Sequence, residues 1–207
     1  MIEIIKPMDI EKRSFEIITE LLGDNQPDPE TAPVVKRVIH TTADFEYREN
    51  LVFSEHAVEK GIEALRGGCH IVTDTHMAMA GINKTILGRL GGEVHCFMAD
   101  PDVAEEAKNR GITRAAVSME RAAALDKPCI FAIGNAPTAL MALKDLMDAG
   151  KVRPALIIGV PVGFVNVVES KERIIGCDVP YIVARGRKGG SNVAAAICNA
   201  LLYQIQR

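Results

Sequence analysis

The sequence predicts an α/β fold of three layers, with a mostly parallel central sheet between two layers of helices. Two observations carry this. Short apolar runs rich in Ile and Val alternate with longer stretches of helical periodicity, and strand–helix alternation builds parallel sheets. Most of those runs are apolar throughout rather than alternating, as in strands covered on both faces. At 207 residues, residues 1–207 fit a single domain.

In chain order, Asp9 can cap a first helix carrying Ile10, Phe15, Ile18 and Leu22. The polar, Pro-containing segment Gly23–Pro33 reads as a surface loop, followed by an amphipathic helix through Val34–Thr42. Strands are expected at Leu51–Phe53, His70–Thr73, Glu93–Met98, Cys129–Ile133, Ala155–Gly159 and Tyr181–Ala184. Ser54 can cap a helix that ends at Gly67. Pro101 and Pro137 stand where a first helical turn would hold them. A last helix begins near Ser191, and its Ala194, Ala195 and Ala196 permit close packing on a sheet.

Composition narrows the function. Hydrophobic residues make up 48% and charged residues 25%, ordinary for a soluble protein with a real core. A net charge of -3, aromatics at 4% and no Trp argue against a nucleic-acid partner, which needs a basic excess and stacking surfaces. The opening MIEIIKPMDIEKRSF meets an acidic residue at once, and no apolar run is long enough to span a bilayer. No signal peptide and no membrane partner are therefore expected, and a cytoplasmic protein is. Five Cys stand singly at 69, 96, 129, 177 and 198, without zinc or redox spacing, and read as reduced thiols.

Parallel sheets bind ligands beyond the carboxyl ends of their strands. The segments expected there are Asp74-Thr75-His76, Gly134-Asn135-Ala136-Pro137, Val160-Pro161-Val162-Gly163 and Arg185-Gly186-Arg187-Lys188-Gly189-Gly190-Ser191. The last alternates three cations with three glycines directly before a helix. Glycine lets the backbone approach an anion, and a helix N-terminus adds exposed N–H groups. Neither a phosphate-loop nor a dinucleotide fingerprint is present. The five His are candidate acids or bases; His40 lies near a helix C-terminus, which favours the imidazolium, and His76 follows a strand end. No His pair has metal-ligand spacing, and no nucleophile elbow follows a strand. On their own, these residues describe an α/β enzyme or binder for a polyanionic small molecule.

Four stretches in this order carry something more specific. They are Lys36-Arg37-Val38-Ile39-His40, Gly134-Asn135-Ala136-Pro137-Thr138-Ala139-Leu140, Val160-Pro161-Val162-Gly163-Phe164-Val165 with Glu169-Ser170-Lys171, and Gly186-Arg187-Lys188-Gly189-Gly190-Ser191. Together they resemble the precorrin-8 methylmutase family of cobalamin biosynthesis, over nearly the whole chain. The resemblance implies an isomerase that moves a methyl group from carbon 11 to carbon 12 of precorrin-8, or of its cobalt complex, to give hydrogenobyrinate or cobyrinate. It implies no cofactor, no protein-held metal and no methyl donor; any cobalt comes with the substrate.

By the same resemblance His40 is the catalytic acid, and Arg114 lies near the substrate carboxylates. Ser14 and Thr75 match polar positions of the pocket wall. Asn135, Arg185, Arg187, Lys188, Gly189, Gly190 and Ser191 are the further substrate-binding candidates at the strand ends. The partner is a corrinoid with several carboxylates, and the family is homodimeric, each pocket completed by the partner chain. The stretches around Val38–Phe45, Gly81–Lys84 and Arg187–Asn192 look more like the anaerobic branch, whose substrate already holds cobalt. The alternative is a non-catalytic tetrapyrrole carrier. A nucleotide-dependent enzyme on a doubly wound sheet is a third reading, against which the missing phosphate loops argue.

Overall fold

A computed structural model describes residues 5–205; the first four residues of the opening segment read above lie outside it. The chain begins with a short 3-10 turn and helix α1 (Ile10–Leu22), followed by α2 (Ala32–Thr42), α3 (Tyr47–Asn50) and strand β1 (Leu51–Phe53). Next come α4 (Ala57–Arg66), β2 (His70–Thr73), α5 (His76–Gly81), α6 (Lys84–Arg89) and β3 (Val94–His95). Helices α7 (Pro101–Arg110) and α8 (Arg114–Ala122) lead to β4 (Cys129–Ile133), α9 (Pro137–Asp148) and β5 (Leu156–Gly159). The chain closes with α10 (Val167–Glu172), β6 (Tyr181–Ala184) and α11 (Ser191–Ile205).

The six strands form one sheet in the order β1-β6-β5-β4-β2-β3. All pairings are parallel except β1 with β6, where Leu51 faces Ala184 and Phe53 faces Ile182. The expected three-layer α/β architecture is thus the one observed. The reason is visible in β4, which is buried at every position. Its Ile130 and Ala132 enter a core with α2, α4, α5 and α11, while Phe131 and Ile133 enter a second core with α8 and α9. A strand that feeds two cores needs apolar residues at both parities.

Small residues set the spacing of the first layer. A Cβ on Gly81 would come within 2.9 Å of the Ala195 Cβ, so α5 and α11 meet at near backbone contact, a helix–helix approach where the sequence suggested packing on the sheet. Pro101 and Pro137 do occupy the first turns of α7 and α9. Pro33 also sits in the first turn of its helix, α2, so the preceding loop is shorter than expected.

Other expectations shift. Ser54 does not cap α4: its hydroxyl accepts the Tyr181 N–H at 3.0 Å, tying β1 to β6, and His56 holds the cap position with φ +56°. Asp9 precedes α1 without a side-chain capping bond. The expected third strand shrinks to two residues at the sheet edge. His95 stacks on Phe97, and the chain turns there, with the Asp100 N–H donating to the Phe97 carbonyl. A strand with one neighbour has little to hold it extended. Within the described residues, no helix is long and apolar enough to cross a membrane.

Phe131, fully buried among the second-layer helices, provides the test of this packing. Phe131→Ala is expected to cost about 3–5 kcal/mol, read from urea unfolding monitored by circular dichroism.

Candidate active site

Connections leave β2 and β4 on opposite faces: β2 continues into α5 in the first layer, β4 into α9 in the second. These two strands are neighbours, so a crevice opens between their carboxyl ends, the switch point at which such sheets bind ligands. Asp74, the residue that follows β2, crosses that crevice. Its fully buried carboxylate accepts the N–H groups of Gly134, Asn135 and Ala136 at 2.9, 2.8 and 2.5 Å. Burial pushes the Asp74 carboxyl above its usual range, against the pull of the three donors.

Beside it the Thr75 and Ser191 hydroxyls lie 2.7 Å apart, and Thr75 caps α5 by accepting the Ala78 N–H. Gly134 makes this possible. A Cβ there would stand 2.7 Å from the Ser191 Cα and 2.8 Å from the Gly190 carbonyl oxygen, so any side chain would push α11 off the sheet.

The loop after β6 is laced to the loop after β5. Gly190 N–H donates to the Val160 carbonyl at 2.9 Å, and Gly163 N–H to the Arg187 carbonyl at 3.2 Å. Gly189 has φ +158°, and a Cβ on it would lie 2.1 Å from the Val160 oxygen. Only glycine fits that crossing. Lys171 of α10, fully buried, donates from Nζ to the carbonyls of Gly186 and Lys188, both at 2.8 Å.

His40 lies in the last turn of α2. Its Nδ1 is 2.8 Å from the Ser14 Oγ, and its ring stacks on Phe15 at 5.3 Å between centroids and 16° between planes. The Arg37 guanidinium covers the Phe15 ring at 4.7 Å, reaches Tyr203 at 5.1 Å and pairs with Glu11. His40 and Ser14 open on an apolar groove of about 370 Å³ formed with Ile10, Ile17, Ile39 and Phe45. The segment after His40 joins the glycine loop through Lys188, whose Nζ binds Asp44 at 2.6 Å and Glu46 at 2.9 Å. That bond holds the Asp44 carboxyl below its ordinary range and raises the lysine.

The candidate residues therefore divide. Thr75, Asn135, Lys188, Gly189, Gly190 and Ser191 come together at the carboxyl edge, with His40 and Ser14 linked to them through Asp44. Arg187 is exposed and has no carboxylate partner among the described residues. Arg185 is engaged by Glu172 at 3.0 Å. Arg114 opens α8 and lines a different groove, of about 840 Å³, against α7. Its neighbour Thr113 links this helix to the start of α9, its hydroxyl donating to Thr138 at 3.0 Å.

Asp74, Asp44 and Lys171 lie within segments the sequence singles out, yet the sequence assigns none of them a role, and it does not show the Phe15 stack. An acid directly after an apolar strand was the available signal for Asp74. Lys171 stands in the Glu169-Ser170-Lys171 stretch that carries part of the family resemblance, but residue type alone gives no sign that its amine is buried.

A doubly wound sheet with a histidine–serine pair and an amide-rich glycine loop at its carboxyl edge defines an α/β enzyme that acts on an anionic small molecule. Comparison narrows the class. Residues 9–204 match the family model described as "Precorrin-8X methylmutase". The cobalt-precorrin-8 methylmutase of Salmonella typhimurium is 46% identical over 207 residues, covering 97% of each chain. That of Priestia megaterium is 46% identical over 197 residues, covering 95% of this chain and 88% of its own. The crystal structure of a precorrin-8X methylmutase from Thermus thermophilus superposes with a TM-score of 0.85 at 41% identity, covering 94% of this chain and 96% of that one. The chain belongs to the precorrin-8X methylmutase family, and it is an isomerase of the intramolecular-transferase type.

Removing the Asp74 carboxylate strands three amides at the switch point. Asp74→Ala is expected to lower stability by about 2–4 kcal/mol, measured by urea unfolding, and to speed hydrogen exchange at Gly134–Ala136 ahead of the rest of the sheet.

Proposed function

We propose that this protein moves the methyl group on carbon 11 of cobalt-precorrin-8 to carbon 12, giving cobyrinate, with His40 as the acid. The single observation that carries the reading is the His40 ring, held at Nδ1 by Ser14 and against its face by Phe15, at the mouth of an apolar groove. A serine hydroxyl both donates and accepts. It can therefore hold Nδ1 in the imidazolium and in the neutral ring protonated at Nε2, and in both states Nε2–H points away as the available donor. Donating to a ring nitrogen of the macrocycle draws electron density from the conjugated system and makes the methyl-bearing carbon readier to release its group. Substrate and product have the same mass, so the step calls for no oxidant, methyl donor or protein-held cofactor. Cobalt is part of the substrate.

Polar groups at the carboxyl edge bind the ring's acetate and propionate side chains in this reading: Thr75, Asn135 and Ser191, the cations Arg187 and Lys188, and the amides of Gly189 and Gly190. Arg185 and Arg114 are further carboxylate contacts, Arg114 from the neighbouring groove. The His40 groove is open and flanked by exposed Ile10 and Leu21, which supports a homodimer whose second copy covers the macrocycle. The cobalt form of the substrate is favoured because the relatives that share 46% of their residues with this chain carry that name. The biosynthetic role supports a cytoplasmic site of action.

Anaerobic incubation with cobalt-precorrin-8, and in parallel with precorrin-8, followed by absorbance and mass, tests the reading. A spectral change at constant mass is expected, faster with the cobalt form; binding without change would leave a carrier. His40→Ala is expected to keep binding and lose turnover by about a hundredfold or more. Ser14→Ala, which removes one hydrogen bond to the acid, should slow turnover by only about two- to tenfold.

A further inference from the structure

Lys171 is a buried cation without a carboxylate partner among the described residues. Its side chain is fully buried, and its two hydrogen-bond partners are main-chain carbonyls, Gly186 and Lys188, at 2.8 Å each. Charges around it are engaged elsewhere or face solvent: Glu172 with Arg185, Arg173 with Asp145, Lys188 with Asp44 and Glu46, and exposed Glu169 and Arg187. Burying an ammonium in this way is costly, and two neutral donors would satisfy the same carbonyls. The charge therefore calls for an explanation of its own.

Loop geometry supplies one. A trans peptide points its N–H opposite its carbonyl, so drawing the Gly186 and Lys188 carbonyls onto Lys171 turns the Arg187 and Gly189 N–H groups away from it. The Gly163 N–H holds the Arg187 carbonyl between them. Among the described residues the Arg187, Lys188 and Gly189 amides have no acceptor. Successive free amides over a buried positive charge form a concave anion site. Lys188, whose carbonyl is held by Lys171, also carries the bond to Asp44 in the segment after His40.

On the proposed function above, we infer that Lys171 is a positioning residue: it aims the amides of the 186–189 loop at a substrate carboxylate and strengthens that site by its charge. Substrate affinity then depends on the protonation of a side chain that never touches the substrate.

Burial lowers the Lys171 amine to about 8 from the ordinary 10.5. Losing that proton leaves two N–H groups, enough for both carbonyls, so the loop keeps its shape and loses only the charge. Affinity should consequently fall as pH rises through about 8. Global stability should move the other way. Between pH 8 and 10.5 the unfolded chain holds the proton that the folded chain has released, so stability rises with pH across that window. A residue that only holds the fold together could not separate the two trends.

The test is cobyrinate titration of the whole protein at pH 7 and pH 9, with steady-state kinetics on cobalt-precorrin-8 and thermal unfolding, for wild type and Lys171→Met. Wild type is expected to lose about tenfold in affinity between the two pH values, seen in KM with kcat changed less than twofold. Lys171→Met should bind about tenfold more weakly at pH 7 and show no such pH dependence. Wild-type affinity constant from pH 7 to 9, or a Lys171→Met protein that binds as wild type does, would overturn the inference. Should the variant not fold, the wild-type pH series decides alone. If wild type binds no cobyrinate even at pH 7, the proposed function is what fails, and with it the basis for this role.

Discussion

Three amide groups turned toward one carboxylate organise the working edge of this protein. Where the chain leaves a strand its N–H groups lose their ladder partners, and burial makes each unpaired donor expensive. Asp74 gathers Gly134, Asn135 and Ala136 at the gap between β2 and β4. Around that fixed point, Gly134 admits the start of α11, Ser191 reaches Thr75, and the glycine loop lies against the turn after β5. Lys171 mirrors the arrangement with opposite charge. One buried anion collects donors from the loop after β4; one buried cation collects acceptors from the loop after β6.

His40 is placed by a different chemistry. No buried charge holds it; a hydroxyl at one edge and an aromatic face against the ring do. Phe15 also carries Arg37, so helices α1 and α2 are joined through a ring stack rather than through apolar contact alone. The link from Lys188 to Asp44 then couples this helix pair to the sheet edge. The His40 pair and the glycine loop thus belong to separate parts of the fold, joined by the pairing of Lys188 with Asp44 and Glu46, which the stacking and the loop lacing must supplement.

The sheet was legible in the sequence because its strands need apolar residues on both faces, a pattern no surface segment imitates. Cys129–Ile133 and Tyr181–Ala184 came out with their ends correct for that reason. Glu93–Met98 did not: apolar content there marks packing of Phe97 on helices, not a ladder. The glycine loop and His40 were legible as segments, since residue type and position beyond a strand or helix already narrow their chemistry. What holds them was not. Asp74 and Lys171 act on main-chain atoms distant in sequence, and main-chain partners leave no mark on residue identity. Arg185 shows the converse, a cation of the glycine loop whose charge is paired with Glu172.

The sheet also ends in a particular way on both sides. Its outer strands have three and two residues, β1 reversed against its neighbour and β3 broken off where Phe97 turns away. An open edge is a template on which another chain can add a strand, and long flat edges are where folded proteins begin to join into fibres. Neither border here offers a run long enough to seed such growth. The truncation that leaves only Val94–His95 of the expected strand Glu93–Met98 is therefore a safeguard, letting a sheet of buried, β-prone segments stay at high concentration without recruiting its neighbours.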